Sequence, residues 1–328
     1  MTRLLITGGA GFIGSNFIKY LFKNNNDISI INVDKLTYAG NLKNLEEIKN
    51  NDNYTFIKED ICNKTSMKYI INFYKPNYII NFAAESHVDR SIESSEEFIK
   101  TNVLGIQALL ECSLNSKINR FIQISTDEVY GSNETGFFNE KSVLKPNNPY
   151  AASKASADLL VQSFHNTYGL PTIITRSSNN YGPHQHNEKL IPKVITNCLY
   201  RRKIPIYGDG TNIRDWIYVM DNCDAIYKVL NKGASGEVYN ISSNNEKRNI
   251  DIVRIIIKKT KEILQTRGLD INGVSEDLIE FVTNRKGHDK RYGIDSSKLK
   301  DTLGWNPIIQ FESGIEKTIE WYIDKELK

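Results

Sequence analysis

A chain of 328 residues is long for one compact core and reads as one large α/β unit or as two lobes sharing a cleft. Its 42 Lys and Arg against 39 Asp and Glu leave a formal +3 spread along the chain, which makes no electrostatic case for nucleic acid or a membrane surface. The four cysteines (Cys62, Cys112, Cys198, Cys223) have no C-x-x-C spacing, and no apolar stretch of membrane length or basic leader occurs, so a reducing, cytoplasmic setting is expected.

The first strand-like run, Leu4–Thr7, leads into Gly8-Gly9-Ala10-Gly11-Phe12-Ile13-Gly14. These glycines fit G-x-G-x-x-G from Gly9 and G-x-x-G-x-x-G from Gly8. Either frame gives a tight turn, a close backbone approach to a pyrophosphate and a helix N-terminus aimed at its charge. A helix over Phe12–Phe22 follows, then a strand at Ile28–Val33 that ends at Asp34. That carboxylate stands at about the twenty-residue offset where it grips adenine ribose hydroxyls and repels a 2′-phosphate, which favours NAD over NADP. Lys35 beside it acts in the opposite sense, and a turn or cap role is the plain alternative for Asp34.

Further short apolar runs at Tyr54–Ile57, Tyr78–Phe82, Arg120–Ser125 and Pro171–Arg176 alternate with helical periodicity in Thr65–Phe73, Phe98–Cys112 and Ala151–Tyr168. The alternation predicts βαβ units and a doubly wound parallel sheet over residues 1–181. After Tyr181 the pattern loosens, then resumes with helices near Leu190–Arg201, Ile250–Leu264 and Gly314–Asp324, giving a smaller α/β substrate lobe over 182–328. The strand-like Val238–Ile241 follows a helix at Ala225–Leu230, so part of 211–245 is expected to return to the first domain's sheet.

The fifth run ends in Thr126-Asp127-Glu128, which places ionisable groups at a strand's carboxyl end, where ligands bind in open α/β sheets. Tyr150 and Lys154 are four apart and share one helix face. A neighbouring ammonium lowers a phenol's pKa, so Tyr150 is expected to accept a proton from a substrate hydroxyl while nicotinamide takes hydride from its carbon. Alone, Tyr150 and Lys154 read as an ordinary surface pair, to which the upstream glycine loop gives another meaning; Asp127 and Glu128 alone read as a helix N-terminal or solvent-facing acidic pair, to which the flanking Ser125–Gly131 run and the downstream Tyr–Lys pair give another. His165, His184 and His186 lack a cysteine or a His-x-x-x-His partner, and no metal is expected.

The glycine loop, Asp34 and Tyr150-x-x-x-Lys154, in this order, resemble the extended short-chain dehydrogenases/reductases over essentially the whole chain. Within them, Ser125-Thr126-Asp127-Glu128-Val129-Tyr130-Gly131 is similar to the signature of the dTDP-glucose 4,6-dehydratases. Five other stretches match: Asp34–Asn41, Ala83–Asp89, Asn179–Pro183, Arg214–Trp216 and Arg285–Asp289, the last with Lys286 where a proline is more usual. The resemblance implies a Rossmann-type fold, NAD as cofactor and dTDP-glucose as substrate. Sugar epimerases of the superfamily usually lack the acidic pair; a UDP-glucose dehydratase stays open, because the sequence does not separate thymine from uracil.

The resemblance also implies roles. Tyr150, poised by Lys154 and aided by Thr126, deprotonates the sugar's 4-hydroxyl; Glu128 takes the C5 proton, and a protonated Asp127 gives one to the departing 6-hydroxyl. Gly8, Gly11, Phe12, Ile13, Gly14, Asp34, Lys35, Leu36, Thr37, Asp60, Ile61, Ala83, Ala84, Ser86, Thr101 and Asn180 would join Tyr150 and Lys154 around the cofactor. Ser86 and Asn179 would contact the sugar or diphosphate, Lys189-Leu190 would begin a helix over the diphosphate, and Arg214 and Arg285 would neutralise it. Pro205, Ile206 and Tyr207 would line the base pocket, with Asn249, His288 and Asp289 completing the lobe. A homodimer through Phe98–Cys112 and Ala151–Tyr168 is the further expectation.

Overall fold

The computed structural model describes residues 1–327. Seven parallel strands form the main sheet: β1 (Thr2–Thr7), β2 (Ile28–Asp34), β3 (Tyr54–Lys58), β4 (Tyr78–Asn81), β5 (Arg120–Thr126), β6 (Thr172–Ser177) and β10 (Val238–Ile241). They run in the order β3-β2-β1-β4-β5-β6-β10, the doubly wound Rossmann arrangement extended by one strand.

Alternate residues supply the two faces, as a period of two requires. Leu4, Ile6, Ile30, Ile80, Ile122 and Ile173 face a core closed by the helices Phe12–Asn24 and Val219–Lys232. Leu5, Ile31, Ile79, Phe121 and Ile174 face the other, closed by Lys64–Tyr74, Ile106–Ser113 and Pro149–Tyr168. Because both faces are covered, the strands read as continuous apolar runs rather than as alternating ones.

The helix expected from Ala151 starts at Pro149, because Asn148 accepts a hydrogen bond from Ala151 N and proline takes the first helical position; it stops at Gly169, at φ 68°. Tyr150 therefore sits in the first turn. The helix expected over Phe98–Cys112 is interrupted: Glu96–Ile99 and Ile106–Ser113 flank a π-helical turn at Lys100–Gly105. There Asn102 accepts from Glu85 N at 2.9 Å and donates to Glu85 O at 3.0 Å and to Ser153 Oγ at 2.8 Å, tying this helix to the loop after β4 and to the Tyr150 helix.

The smaller lobe holds a three-stranded sheet, β11 (Glu246–Arg248), β9 (Ile213–Tyr218) and β7 (Asn179–Tyr181), and a parallel pair, β8 (Ile204–Tyr207) with β12 (Ile279–Val282). Its sheet begins at Asn179, inside the expected first domain, because β7 pairs with β9 rather than with β6. Its own core gathers Ile191, Val194, Ile195, Ile252, Ile256, Ile315 and Ile319. The segment Ser297–Trp305 crosses back: Leu299 and Trp305 are buried in the first lobe's core. No helix among the described residues is long and apolar enough to cross a membrane.

Candidate active site

A cleft opens at the carboxyl ends of the main sheet, where β1 turns into the glycine loop. Gly8 has φ +71°, and a Cβ there would lie 2.4 Å from Ala83 N; a Cβ on Gly14 would lie 2.4 Å from Gly8 O. Gly11 is different: a Cβ would meet only Gly8 O, at 3.3 Å, so its free side faces the cleft. Two glycines thus fold the loop and the third leaves room for a ligand's phosphates. Gly8→Ala is expected to cost about 1–3 kcal/mol through the strained φ and the contact with Ala83, and to release bound dinucleotide, read by thermal melting and cofactor content after gel filtration.

Asp34 shapes the far wall. Its Oδ2 accepts from Ala10 N at 2.9 Å and its Oδ1 from Leu36 N at 2.8 Å, while burial pushes its pKa up against both hydrogen bonds. Lys35, whose charge would have welcomed a 2′-phosphate, pairs with Asp60 at 2.8 Å. Most of the expected cofactor residues line the cleft, from Phe12, Ile13, Thr37 and Ile61 to Ala83, Ala84, Ser86 and Thr101. Two sit apart. Leu36 turns at φ 57° to give its N–H to Asp34, and Asn180 donates to Ser177 Oγ at 3.1 Å and Ser178 O at 2.9 Å.

At the end of β5, Thr126 caps a 3-10 turn over Asp127–Tyr130; its Oγ1 accepts from Glu128 N at 3.3 Å and donates to Asp127 Oδ1 at 3.2 Å. Asp127 is 2% exposed, and its Oδ2 has no hydrogen-bond partner among the described residues. Burial first, then the neighbouring Glu128, holds its pKa well above the ordinary carboxyl range, with Arg214 and Thr126 pulling the other way. Glu128 Oε2 accepts from Asn148 Nδ2 and from the Tyr292 hydroxyl, each at 3.3 Å. Two neighbouring carboxyls therefore stand in different settings.

Tyr150 and Lys154 line the cleft, but not with the expected electrostatics. Burial, then Glu128, raises the Tyr150 phenol, and the Thr126 hydroxyl is what draws it down. The Lys154 ammonium donates to Ile124 O at 2.6 Å, and burial lowers its pKa to about 8 against the charge of Asp158. The Lys154 ammonium is thus turned to a carbonyl of β5, two residues before the strand's end.

A second cavity joins the first at Glu188 and Lys189. Asn179, Leu190, Pro205, Tyr207, Arg214, Asn249, Arg285 and His288 all line it. Arg214 donates to Ile213 O at 2.7 Å and Asp289 O at 2.9 Å and lies 4.2 Å from the centre of the Tyr292 ring. Arg285 stands 3.5 Å from Asp89, and burial, then Arg285 and Arg214, depresses His288 to about 3. The side-chain oxygens of Asn179 and Asn249 and the Nε of Arg285 are buried without hydrogen-bond partners among the described residues, as polar groups kept for a ligand would be. Asp289 departs from expectation: its carboxylate accepts from Asn147 Nδ2 at 2.5 Å and Tyr292 OH at 2.8 Å, which turns it from the cavity into a brace. Ser86 lines the cofactor cleft instead, its carbonyl holding Lys189 Nζ at 2.8 Å.

Three residues near the chemistry escaped the sequence reading: Asn148 and Tyr292, which hold Glu128, and Glu188. The Glu188 side chain is 9% exposed and stands 3.5 Å from His87, 3.6 Å from Arg90 and His186, and 3.7 Å from Lys189. Its one sequence signal is its place just before Lys189 at a helix start. Among the described residues no group of three or more His, Cys, Asp or Glu side chains is arranged to hold a metal ion.

The family model described as GDP-mannose 4,6 dehydratase matches residues 5–318. A dTDP-glucose 4,6-dehydratase of Escherichia coli is 47% identical over 343 residues, spanning 99% of this chain and 94% of that one. Among solved structures, the dTDP-glucose 4,6-dehydratase of Bacillus anthracis in complex with NAD is 44% identical with a TM-score of 0.89, over 100% of this chain and 98% of that one. That of Streptomyces venezuelae, with NAD and TYD bound, is 41% identical with a TM-score of 0.91, over 99% and 98%. Matches this close along nearly the whole of both chains leave one conclusion: the chain belongs to the dTDP-glucose 4,6-dehydratase family, within the wider family that the GDP-mannose 4,6 dehydratase model describes.

Proposed function

We propose that this chain is an NAD-dependent lyase that converts dTDP-glucose to dTDP-4-keto-6-deoxyglucose and water. The observation that carries this reading is the pair of neighbouring carboxyls in different settings at one strand end: Asp127 buried with its Oδ2 unpartnered among the described residues and its pKa raised by burial, Glu128 hydrogen-bonded to Asn148 and Tyr292. An enzyme that only oxidises or epimerises needs no second carboxyl kept neutral.

NAD, when bound in the cleft, supplies the oxidation at sugar C4 and the later reduction at C6, so it ends as it began. Tyr150 takes the 4-hydroxyl proton; burial and Glu128 raise its phenol in the ligand-free chain, so the Thr126 hydroxyl and the positive charge that an oxidised nicotinamide would bring to the cleft are what would draw it down. The C5 proton, too weakly acidic in the unoxidised sugar, is then alpha to a ketone and within the reach of a carboxylate base. Glu128 removes it, Asp127 protonates the departing 6-hydroxyl, and C5 is reprotonated at the end. Arg214 and Arg285 meet the diphosphate charge, and Pro205 and Tyr207 flank the base. Residues 1–178, with Val219–Lys232, β10 and the segment Ser297–Trp305, act as the NAD-binding domain, and the rest of the chain from Asn179 mainly as the nucleotide-sugar lobe.

A homodimer through the Tyr150 helix and its neighbour fits the exposed apolar side chains there: Ile99 at 44%, Leu104 at 53% and Leu159 at 58%. Leu104→Asp with Leu159→Asp is expected to give a monomer by sedimentation, where the parent sediments as a dimer. A cytoplasmic location fits four free cysteines.

Incubation of the purified protein with dTDP-glucose in deuterated water, followed by mass measurement, tests the function. Loss of one water with deuterium at C5 supports it. An isomer of unchanged mass points instead to epimerisation, and free reduced cofactor accumulating in solution sinks the closed cycle. UDP-glucose in a parallel arm decides the base.

A further inference from the structure

Arg176, on β6, is 1% exposed and reaches two elements at once. Its Nε donates to Asp158 Oδ2 at 2.8 Å and its Nη1 donates to the Tyr130 hydroxyl at 2.8 Å, with the guanidinium carbon 4.8 Å from the centre of the Tyr130 ring. Asp158 lies one helical turn after Lys154 on the helix Pro149–Tyr168. Tyr130 closes the turn that begins at Asp127, and its hydroxyl donates onward to Asn240 Oδ1, on β10, at 2.8 Å. One guanidinium thus joins the helix that carries Tyr150 and Lys154 to the turn that carries Asp127 and Glu128.

Stability is a poor reason for this pair. Taking two charges fully out of water offsets most of their attraction, and an apolar pair of the same size serves a core at least as well; the best-attested use of such buried pairs is to fix register. The Asp158 side chain is fully buried, and its Oδ1 has no hydrogen-bond partner among the described residues. Neither Asp158 nor Arg176 is among the residues lining the two cavities, so neither is a catalytic residue. What the pair does fix is the relative placement of two catalytic elements that act on adjacent carbons of one sugar.

We infer that Asp158, Arg176 and Tyr130 form a positioning chain that holds the acid–base turn in register with the Tyr–Lys helix, so that oxidation at C4 and proton removal at C5 are served in one sugar pose. The inference rests on the roles proposed above for Tyr150, Asp127 and Glu128. A shift of about 1 Å in the turn costs on the order of 10²-fold in a step that depends on its aim. Oxidation by the helix residues is less exposed to that shift than elimination by the turn residues. Losing the chain should therefore separate the two steps rather than slow both alike.

The test uses cofactor-loaded protein turning over dTDP-glucose, with the fraction of reduced nicotinamide read by absorbance at steady state. Arg176→Met and Tyr130→Phe are expected to raise that fraction at least about fivefold over the parent, because oxidation continues while elimination lags, and Arg176→Lys should restore part of the parental value. Backbone amides of residues 127–131 should also exchange hydrogen faster in the cofactor-free variants. A reduced fraction equal to the parent's in both variants overturns the inference, whatever happens to melting temperature or turnover. Should Arg176→Met fail to fold, Tyr130→Phe carries the test alone, since it keeps the ring stacked on Phe138 at 5.3 Å and removes only the hydroxyl. A parent that removes no water overturns the proposed function instead, and the amide exchange of the turn still decides the positioning role.

Discussion

Glu128→Gln should bind cofactor and substrate as the parent does, yet eliminate water about 10²–10⁴-fold more slowly. The amide keeps the length of the side chain and an oxygen that can accept from Asn148 and Tyr292, so the surroundings that hold Glu128 survive the change. What it loses is the ability to take a proton. Tyr150 and Lys154 are untouched, so oxidation at C4 proceeds and reduced nicotinamide builds up on the enzyme, while deuterium no longer enters C5 from deuterated water. Persistent C5 exchange would remove Glu128 as the base. It would shift attention to Glu188, whose two carboxylate oxygens are buried without hydrogen-bond partners among the described residues.

Asp127→Asn is expected to lower elimination by a similar factor of about 10²–10⁴ and, unlike the Glu128 change, to make the folded protein more stable at neutral pH. The sign follows from linkage. Asp127's pKa is raised in the folded chain from its ordinary 3.8, so its contribution to stability is whole below that value and is lost as pH rises through the folded pKa, when a charge must form in a buried site. Asparagine never acquires that charge. The melting temperatures of variant and parent should converge in acid and separate in the variant's favour as pH rises. The parent's elimination rate should fall through the same pH window, because the acid form of Asp127 is the working one, and the residual rate of the variant should lack that limb. Melting curves that run parallel at every pH would mean that Asp127 is not held neutral by burial.

The main sheet was open to sequence reading because each strand is a short apolar run between turn residues, and the glycine loop lies in sequence next to the strand it follows. The acid pair and the Tyr–Lys pair were legible for the same reason: each is local, a strand end or one helical turn. What escaped is what only tertiary contact creates. Tyr292 reaches Glu128 across 164 residues of chain, and Trp305 returns to the first core from the far end of the second lobe. Neither has a spacing to betray it. The electrostatics of Tyr150 and Lys154 differ from the expectation for a related reason: four-residue spacing places both side chains on one helix face but does not reveal that Lys154 donates to the Ile124 carbonyl or that Glu128 faces the phenol. Asp289 sits within a matching stretch, yet its carboxylate is claimed by Asn147 and Tyr292, a choice set by packing.

The π-helical turn at Lys100–Gly105 behaves like a single residue spliced into an otherwise regular helix. Excising one residue there would restore ordinary bonding along the whole segment, and local propensity would favour the result. It would also rotate everything before the splice by about 100° relative to everything after it. Phe98, now buried, and Ile99, now exposed, would lose their present bearings, and Asn102 would release Glu85 and Ser153 together. The irregularity thus sets a phase difference: one helix faces the cleft through Thr101 and the first lobe's core through Leu109 and Leu110, two directions that a uniform helix of this sequence would not present at once.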